Sequence, residues 1–353
     1  MAEIMGLGLS HYPPLGWKDG SMTDLLRITM KDPAIPAKEL DVANWPELAR
    51  AEWSNDEGLA AAGRHRKALV EQFRRVRAEL DAFKPDVVLI WGDDQYENFK
   101  EDIIPPFCVC AYDDIDVYPW RDISGMARPN VWDEKGEDLH YKLRGRRDIA
   151  KHLISELLKR DFDVAYAYKP LHHASLAHAF INAILYLDYD RDKGWDYPTI
   201  AMPVNCYGRK VVCAKGSLSR FDATLDLDPP SPSPARCMAV GAAVAQVLKA
   251  SPWRVALIAS SSWSHAFLTD HTWRLRPDTK ADRMLYNALA SRDYATWRKQ
   301  TVEDFENAGQ HEVLNWAMLT GAMEALGAQI KWTEFVETAV LNSNKVFAAY
   351  HPV

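Results

Sequence analysis

The run Asp86-Val-Val-Leu-Ile-Trp91 constrains this chain more than any other feature. It shows no alternation of apolar and polar residues, so both of its faces must be covered. That is the condition of a strand inside a parallel or mixed sheet. Arg254-Val-Ala-Leu-Ile-Ala-Ser260 is a second clear strand. Ile4 to Leu9, Val164 to Tyr168 and Thr199 to Val204 are further strand candidates. Between them lie helical patterns: about 58–83, rich in Ala, Arg, Glu and Leu and ended by Pro85; about 175–187; 232–250, with Pro in its first turn; and about 310–326. This β-α-β alternation predicts an α/β fold, a central mixed β-sheet flanked by helices.

At 353 residues the chain exceeds the usual single-domain size, but α/β folds of this length form one unit. We expect a single catalytic domain over 1–353. Its composition, 48% apolar and 26% charged, is that of an ordinary globular protein and supplies a sizeable core. Two stretches, near 20–60 and 105–145, are expected as lid or insertion segments. The second is rich in Pro, Asp, Tyr and Trp without clear periodicity, and long loops in compact domains are often functional.

Charge and patterning exclude several classes. A net charge of -7 argues against nucleic-acid binding, and local basic runs such as Arg74-Arg75 with Arg77 read as solvated helix faces. No run of about 18 uninterrupted apolar residues predicts a membrane span. The first residues lack the basic and apolar regions of a signal peptide. Five scattered cysteines point to reduced thiols and a cytoplasmic setting.

Chemistry-bearing residues follow three of the strand candidates. His11 follows the first, Asp93 and Asp94 close the second, and His265 follows Arg254–Ser260. In open α/β sheets ligands bind where strands end, so such residues can converge in one cleft. Glu312 opens the late helix, where the helix dipole alone would favour an acid. Three histidines, His172, His173 and His178, crowd the segment Pro170–Phe180. No Walker loop, G-x-G-x-x-G or G-x-S-x-G elbow is present.

In order along the chain, seven stretches carry a family likeness: Gly8-Leu-Ser-His11-Tyr-Pro13, Pro85-Asp-Val-Val-Leu-Ile-Trp-Gly-Asp-Asp94, Leu176-Ala-His178-Ala-Phe180, Met202-Pro-Val-Asn205, Pro232-Ser-Pro-Ala-Arg236-Cys-Met-Ala-Val-Gly241, Ala259-Ser-Ser-Ser-Trp-Ser-His265 and Gly309-Gln-His-Glu312-Val-Leu-Asn-Trp316. Together they resemble the class III extradiol ring-cleavage dioxygenases, whose type member is the catalytic subunit of protocatechuate 4,5-dioxygenase. The resemblance implies a non-haem Fe(II), with Mn(II) or another divalent metal as the alternative. It implies a catecholic or 2-aminophenolic substrate opened with O₂. By motif, His11 matches the first His ligand and Glu312 the carboxylate. His265 matches the catalytic acid/base and His178 a second active-site His. The family's second His ligand is missing, and Asp94 stands at its place. Asp94 would give one His and two carboxylates; Asp93, His172 or His173 are the other candidates. An oxygen-richer site would favour harder ions. The resemblance also implies a homo-oligomer and, in some members, a small helical partner subunit. A hydrolase or lyase on the same scaffold, or a non-catalytic binding relative, are the competing functions. Trp91, Trp120, Trp263 and Tyr12 lie near these elements and could stack on an aromatic substrate.

Overall fold

The computed structural model describes residues 2–124, 129–210, 212–216, 221 and 223–353. It contains strands β1 (Ile4–Leu9), β2 (Val87–Asp93), β3 (Cys108–Cys110), β4 (Ile115–Val117), β5 (Tyr141–Leu143), β6 (Ala165–Ala167), β7 (Thr199–Val204), β8 (Val255–Ser260), β9 (Ile330–Val336) and β10 (Lys345–Tyr350). Six of them form one sheet in the order β7-β2-β8-β1-β10-β9. The first four are parallel; β10 runs antiparallel to β1, and β9 runs antiparallel to β10. The sheet is therefore mixed, with helices on both faces.

Side chains alternate across a strand. In β2, Val87, Leu89 and Trp91 enter one core, while Val88 and Ile90 enter the other. In β8, Val255, Leu257 and Ala259 face the first and Ala256 and Ile258 the second. The first core is closed by the helices Arg147–Leu158, Pro234–Lys249 and Leu314–Ala325, and the second by Leu59–Phe83 and His178–Leu187. This double covering is why β2 and β8 are apolar throughout.

Leu314–Ala325 is apolar around most of its circumference, as befits a helix buried on every side. It crosses Pro234–Lys249 at very close range. A Cβ on Gly241 would lie 1.9 Å from the Met318 carbonyl oxygen, and one on Gly321 2.1 Å from that of Met238. The two glycines thus set how near the helix carrying Glu312 at its mouth approaches its neighbour.

The expected insertion near 105–145 holds β3, β4, β5 and a short helix, Pro119–Asp122, rather than an irregular loop. Its residues 125–128 lie outside the described residues. All five cysteines are unpaired. Among the described residues, no helix is long and apolar enough to cross a membrane.

Candidate metal centre

Parallel strands end at one edge of a sheet. Leu9 of β1 pairs with Ser260 of β8, and Trp91 of β2 with Ala259, so the three strands finish side by side. His11 lies two residues beyond β1, Asp93 is the last residue of β2, and Ser261–His265 leave β8. Glu312 enters from the 3-10 turn His311–Val313, whose helix packs on the same sheet.

Chain ends distant in sequence thereby meet. His11 Nε2 lies 3.3 Å from Glu312 Oε2 and 3.6 Å from Asp93 Oδ1. His265 Nε2 lies 3.3 Å from the other oxygen, Glu312 Oε1. The His11 and His178 rings meet edge to face at 5.0 Å. His11, Asp93 and His178 offer ligand atoms within 4.8 Å of one another. All five side chains are buried.

Both rings are held by hydrogen bonds on Nδ1. His11 Nδ1 donates to the Ser260 carbonyl at 3.0 Å, leaving the Nε2 lone pair aimed at the carboxylates. His178 Nδ1 contacts Glu97 Oε2 at 2.7 Å, and Glu97 Oε1 accepts from the His178 backbone N–H at 2.9 Å. Such partners on the far nitrogen fix tautomer and ring orientation. By contrast, both oxygens of Asp93 and Glu312 Oε2 are buried without a hydrogen-bond partner. A buried, unpartnered carboxylate is costly. Three orphaned carboxylate oxygens around one imidazole nitrogen fit a divalent cation.

Electrostatics point the same way. Burial, and then the nearby Glu312 charge, push Asp93 up to about 7. Burial opposes ionisation of Glu312, but the charges of His265 and His11 and the hydrogen bond from Tyr207 hold its pKa far below the usual carboxylate range. Burial disfavours protonated His11, yet Glu312 and Asp93 outweigh it and raise its pKa. Burial likewise opposes protonation of His178, but the Glu97 charge and hydrogen bond raise it to about 9. Burial lowers the pKa of His265, which is neutral at pH 7.

His11, His178, His265 and Glu312 line a cavity of about 200 Å³, with Tyr12, Pro13, Trp17 and Phe267 among its apolar wall residues.

A model of the family described as the catalytic LigB subunit of aromatic ring-opening dioxygenase matches residues 225–348. The C-terminal third of the chain is similar to this family. The matched segment includes His265 and Glu312; His11, Asp93 and His178 precede it. A 2,3-dihydroxyphenylpropionate/2,3-dihydroxicinnamic acid 1,2-dioxygenase from Pseudomonas putida is 24% identical over 197 residues, 56% of this chain and 49% of the relative. A homologous dioxygenase of Paraburkholderia phymatum is 26% identical over 199 residues, with the same coverage. One from Dechloromonas aromatica reaches 30% over 95 residues, 27% of this chain and 25% of its own. The alignments with the first relatives thus span about half of their length.

Of the residues expected from the resemblance, His11, Glu312, His265 and His178 come together, whereas Asp94 does not join them. Its carboxylate accepts the backbone N–H groups of Glu97, Asn98 and Phe99 at 3.0–3.1 Å, so it closes the turn after β2. It borders a separate small cleft with Phe99 and Val204. Asp93 is the carboxylate beside His11. His172 is half exposed and pairs with Asp102, and His173 Nδ1 accepts from the Ser175 backbone; neither lines the cavity. Of the aromatic residues considered for stacking, only Tyr12 lines it. Trp91 and Trp263 are fully buried in the core, and Trp120 packs on Trp132. Of the two expected covering segments, 20–60 contributes Leu25 to the wall, and no described residue of 105–145 does.

Sequence reasoning missed Glu97, Gln95 and Tyr207. Glu97 orients His178, and Gln95 lines the cavity. Tyr207 follows β7 and donates its hydroxyl to Glu312 Oε1. The rule that singled out His11, that polar residues follow parallel strands into the cleft, applies equally to all three.

Proposed function

We propose that the protein is a metal-dependent extradiol-type dioxygenase that opens a single catecholic or 2-aminophenolic ring with O₂. The observation that carries this reading is the set of orphaned oxygens of Asp93 and Glu312 around His11 Nε2. His11, Asp93 and Glu312 would hold a divalent metal, Fe(II) by family resemblance. Bound there, the metal supplies a Lewis-acidic, redox-active centre that brings substrate and O₂ together.

The remaining residues bind, orient and move protons. An engineered apolar cavity of about 150 Å³ takes benzene, so a cavity of about 200 Å³ admits one substituted ring. Tyr12, Pro13, Trp17 and Phe267 give that ring an apolar wall. His265, neutral because burial lowers its pKa, accepts a proton from the substrate hydroxyl. His178, kept protonated at neutral pH by Glu97, donates a hydrogen bond to the anionic oxygen that results and keeps its own proton. Lys210 and Arg274 line the same cavity and share Asp270, at 2.9 and 2.8 Å, where a ring substituent would meet polar groups. The relatives are named for a catechol bearing a propionate chain, so carboxylate-bearing catechols head the substrate panel.

The test is aerobic incubation of Fe(II)-loaded protein with catechols and 2-aminophenols, with and without a carboxylate side chain. A yellow ring-opened product and one O₂ consumed per substrate are expected for at least one member. Metal-replete protein that consumes no O₂ with any of them would overturn the reading.

A further inference from the structure

The two oxygens of Glu312 have different surroundings. Oε1 accepts the Tyr207 hydroxyl and lies 3.3 Å from His265 Nε2. Oε2 lies 3.3 Å from His11 Nε2, buried and without a hydrogen-bond partner. One oxygen is occupied by protein; the other faces the cluster of ligand atoms.

The element that carries Tyr207 is itself fixed. Asn205 donates its backbone N–H to the Pro106 carbonyl at 3.0 Å, and Arg209 to that of Pro229 at 3.2 Å. A Cβ on Gly208 would lie 2.2 Å from the Ser231 nitrogen, so this turn is pressed against the segment before the helix Pro234–Lys249. The Tyr207 ring is fully buried and stacks on His311 at 5.9 Å with planes 22° apart. His311 immediately precedes Glu312, so the ring supports the same turn whose carboxylate the hydroxyl holds.

We infer that Tyr207 is a positioning residue that keeps Glu312 a one-oxygen ligand, by occupying Oε1 and leaving Oε2 to the metal. This rests on the metal centre proposed above. Without the hydroxyl, Oε1 is free to turn toward the ion, and the carboxylate loses the hydrogen bond that orients it. Partners of this kind typically change metal affinity by about 10–100-fold when removed.

The test uses Co(II) as the probe, with the full chain as wild type, Tyr207→Phe and Tyr141→Phe. Tyr141 also donates a buried hydroxyl to a carboxylate, Asp188 at 2.9 Å, but does not line the cavity. It controls for the loss of a buried tyrosine hydrogen bond. Affinity is read by competition with a chelating dye, and coordination by the visible absorption of bound Co(II). Melting midpoints of the metal-free proteins confirm that all three are folded; Tyr207→Phe keeps the ring that stacks on His311. The expected result is about 10–100-fold weaker Co(II) binding and an altered Co(II) spectrum in Tyr207→Phe alone. Wild-type affinity and an unaltered spectrum in Tyr207→Phe would overturn the inference while leaving the metal centre intact. A wild-type chain that binds no Co(II) would instead overturn the metal centre, and this inference with it.

Discussion

Asp93→Ala is expected to strip the metal from the protein and abolish turnover, whereas Asp94→Ala keeps both. Both Asp93 oxygens are buried without a partner, one of them 3.6 Å from His11 Nε2, and a bound cation would satisfy them. In the proposed metal centre this carboxylate is a ligand rather than a supporting group. The loss of affinity should therefore exceed the roughly 100-fold seen at the upper end for supporting groups. Asp94 accepts three backbone N–H groups in the turn after β2. Its loss leaves these donors wanting and should cost about 1–3 kcal/mol of stability. Elemental analysis and thermal melting of the two variants separate the cases. Metal retained in Asp93→Ala, or lost in a folded Asp94→Ala, would reverse the assignment.

The second large effect concerns proton transfer. His265→Ala should keep its metal and lower kcat by about 10²–10⁴-fold, the usual contribution of a positioned acid or base. That is about 3–5 kcal/mol in the barrier. The pH dependence identifies the cause. Burial lowers the His265 pKa, so its neutral, proton-accepting form prevails at pH 7 and is lost only as pH falls below the ordinary histidine range near 6.5. The wild-type rate should therefore hold through neutrality and decline on the acid side, and this acid limb should vanish in His265→Ala. An acid limb that survives unchanged in the variant would assign the proton to another group.

Much of this was legible in the sequence because it depends on local pattern. The unalternating runs of β2 and β8 can exist only as doubly covered strands, and the polar residues after them fall at one sheet edge by topology. The choice between Asp93 and Asp94 was not legible from motif position alone. Alternation along β2, continued from Trp91, puts Asp93 on the side where the helix bearing Glu312 packs, while Asp94 is free to close the turn. The β9–β10 pair was missed for a different reason. Ile330-Lys-Trp-Thr-Glu-Phe-Val336 is a partly exposed edge strand whose pairing with β10 is set by tertiary contact rather than by a buried run. Tyr207 and Glu97 were overlooked because neither lies in a stretch that carries the family likeness, although each contacts a residue that does.

The most direct measurement is mass spectrometry of the product formed under ¹⁸O₂ by the Fe(II)-loaded protein. A dioxygenase places both atoms of one O₂ molecule in the ring-opened product, so a doubly labelled product is expected. A product formed equally well without O₂, or carrying oxygen only from water, would contradict ring opening and make this site the seat of another reaction.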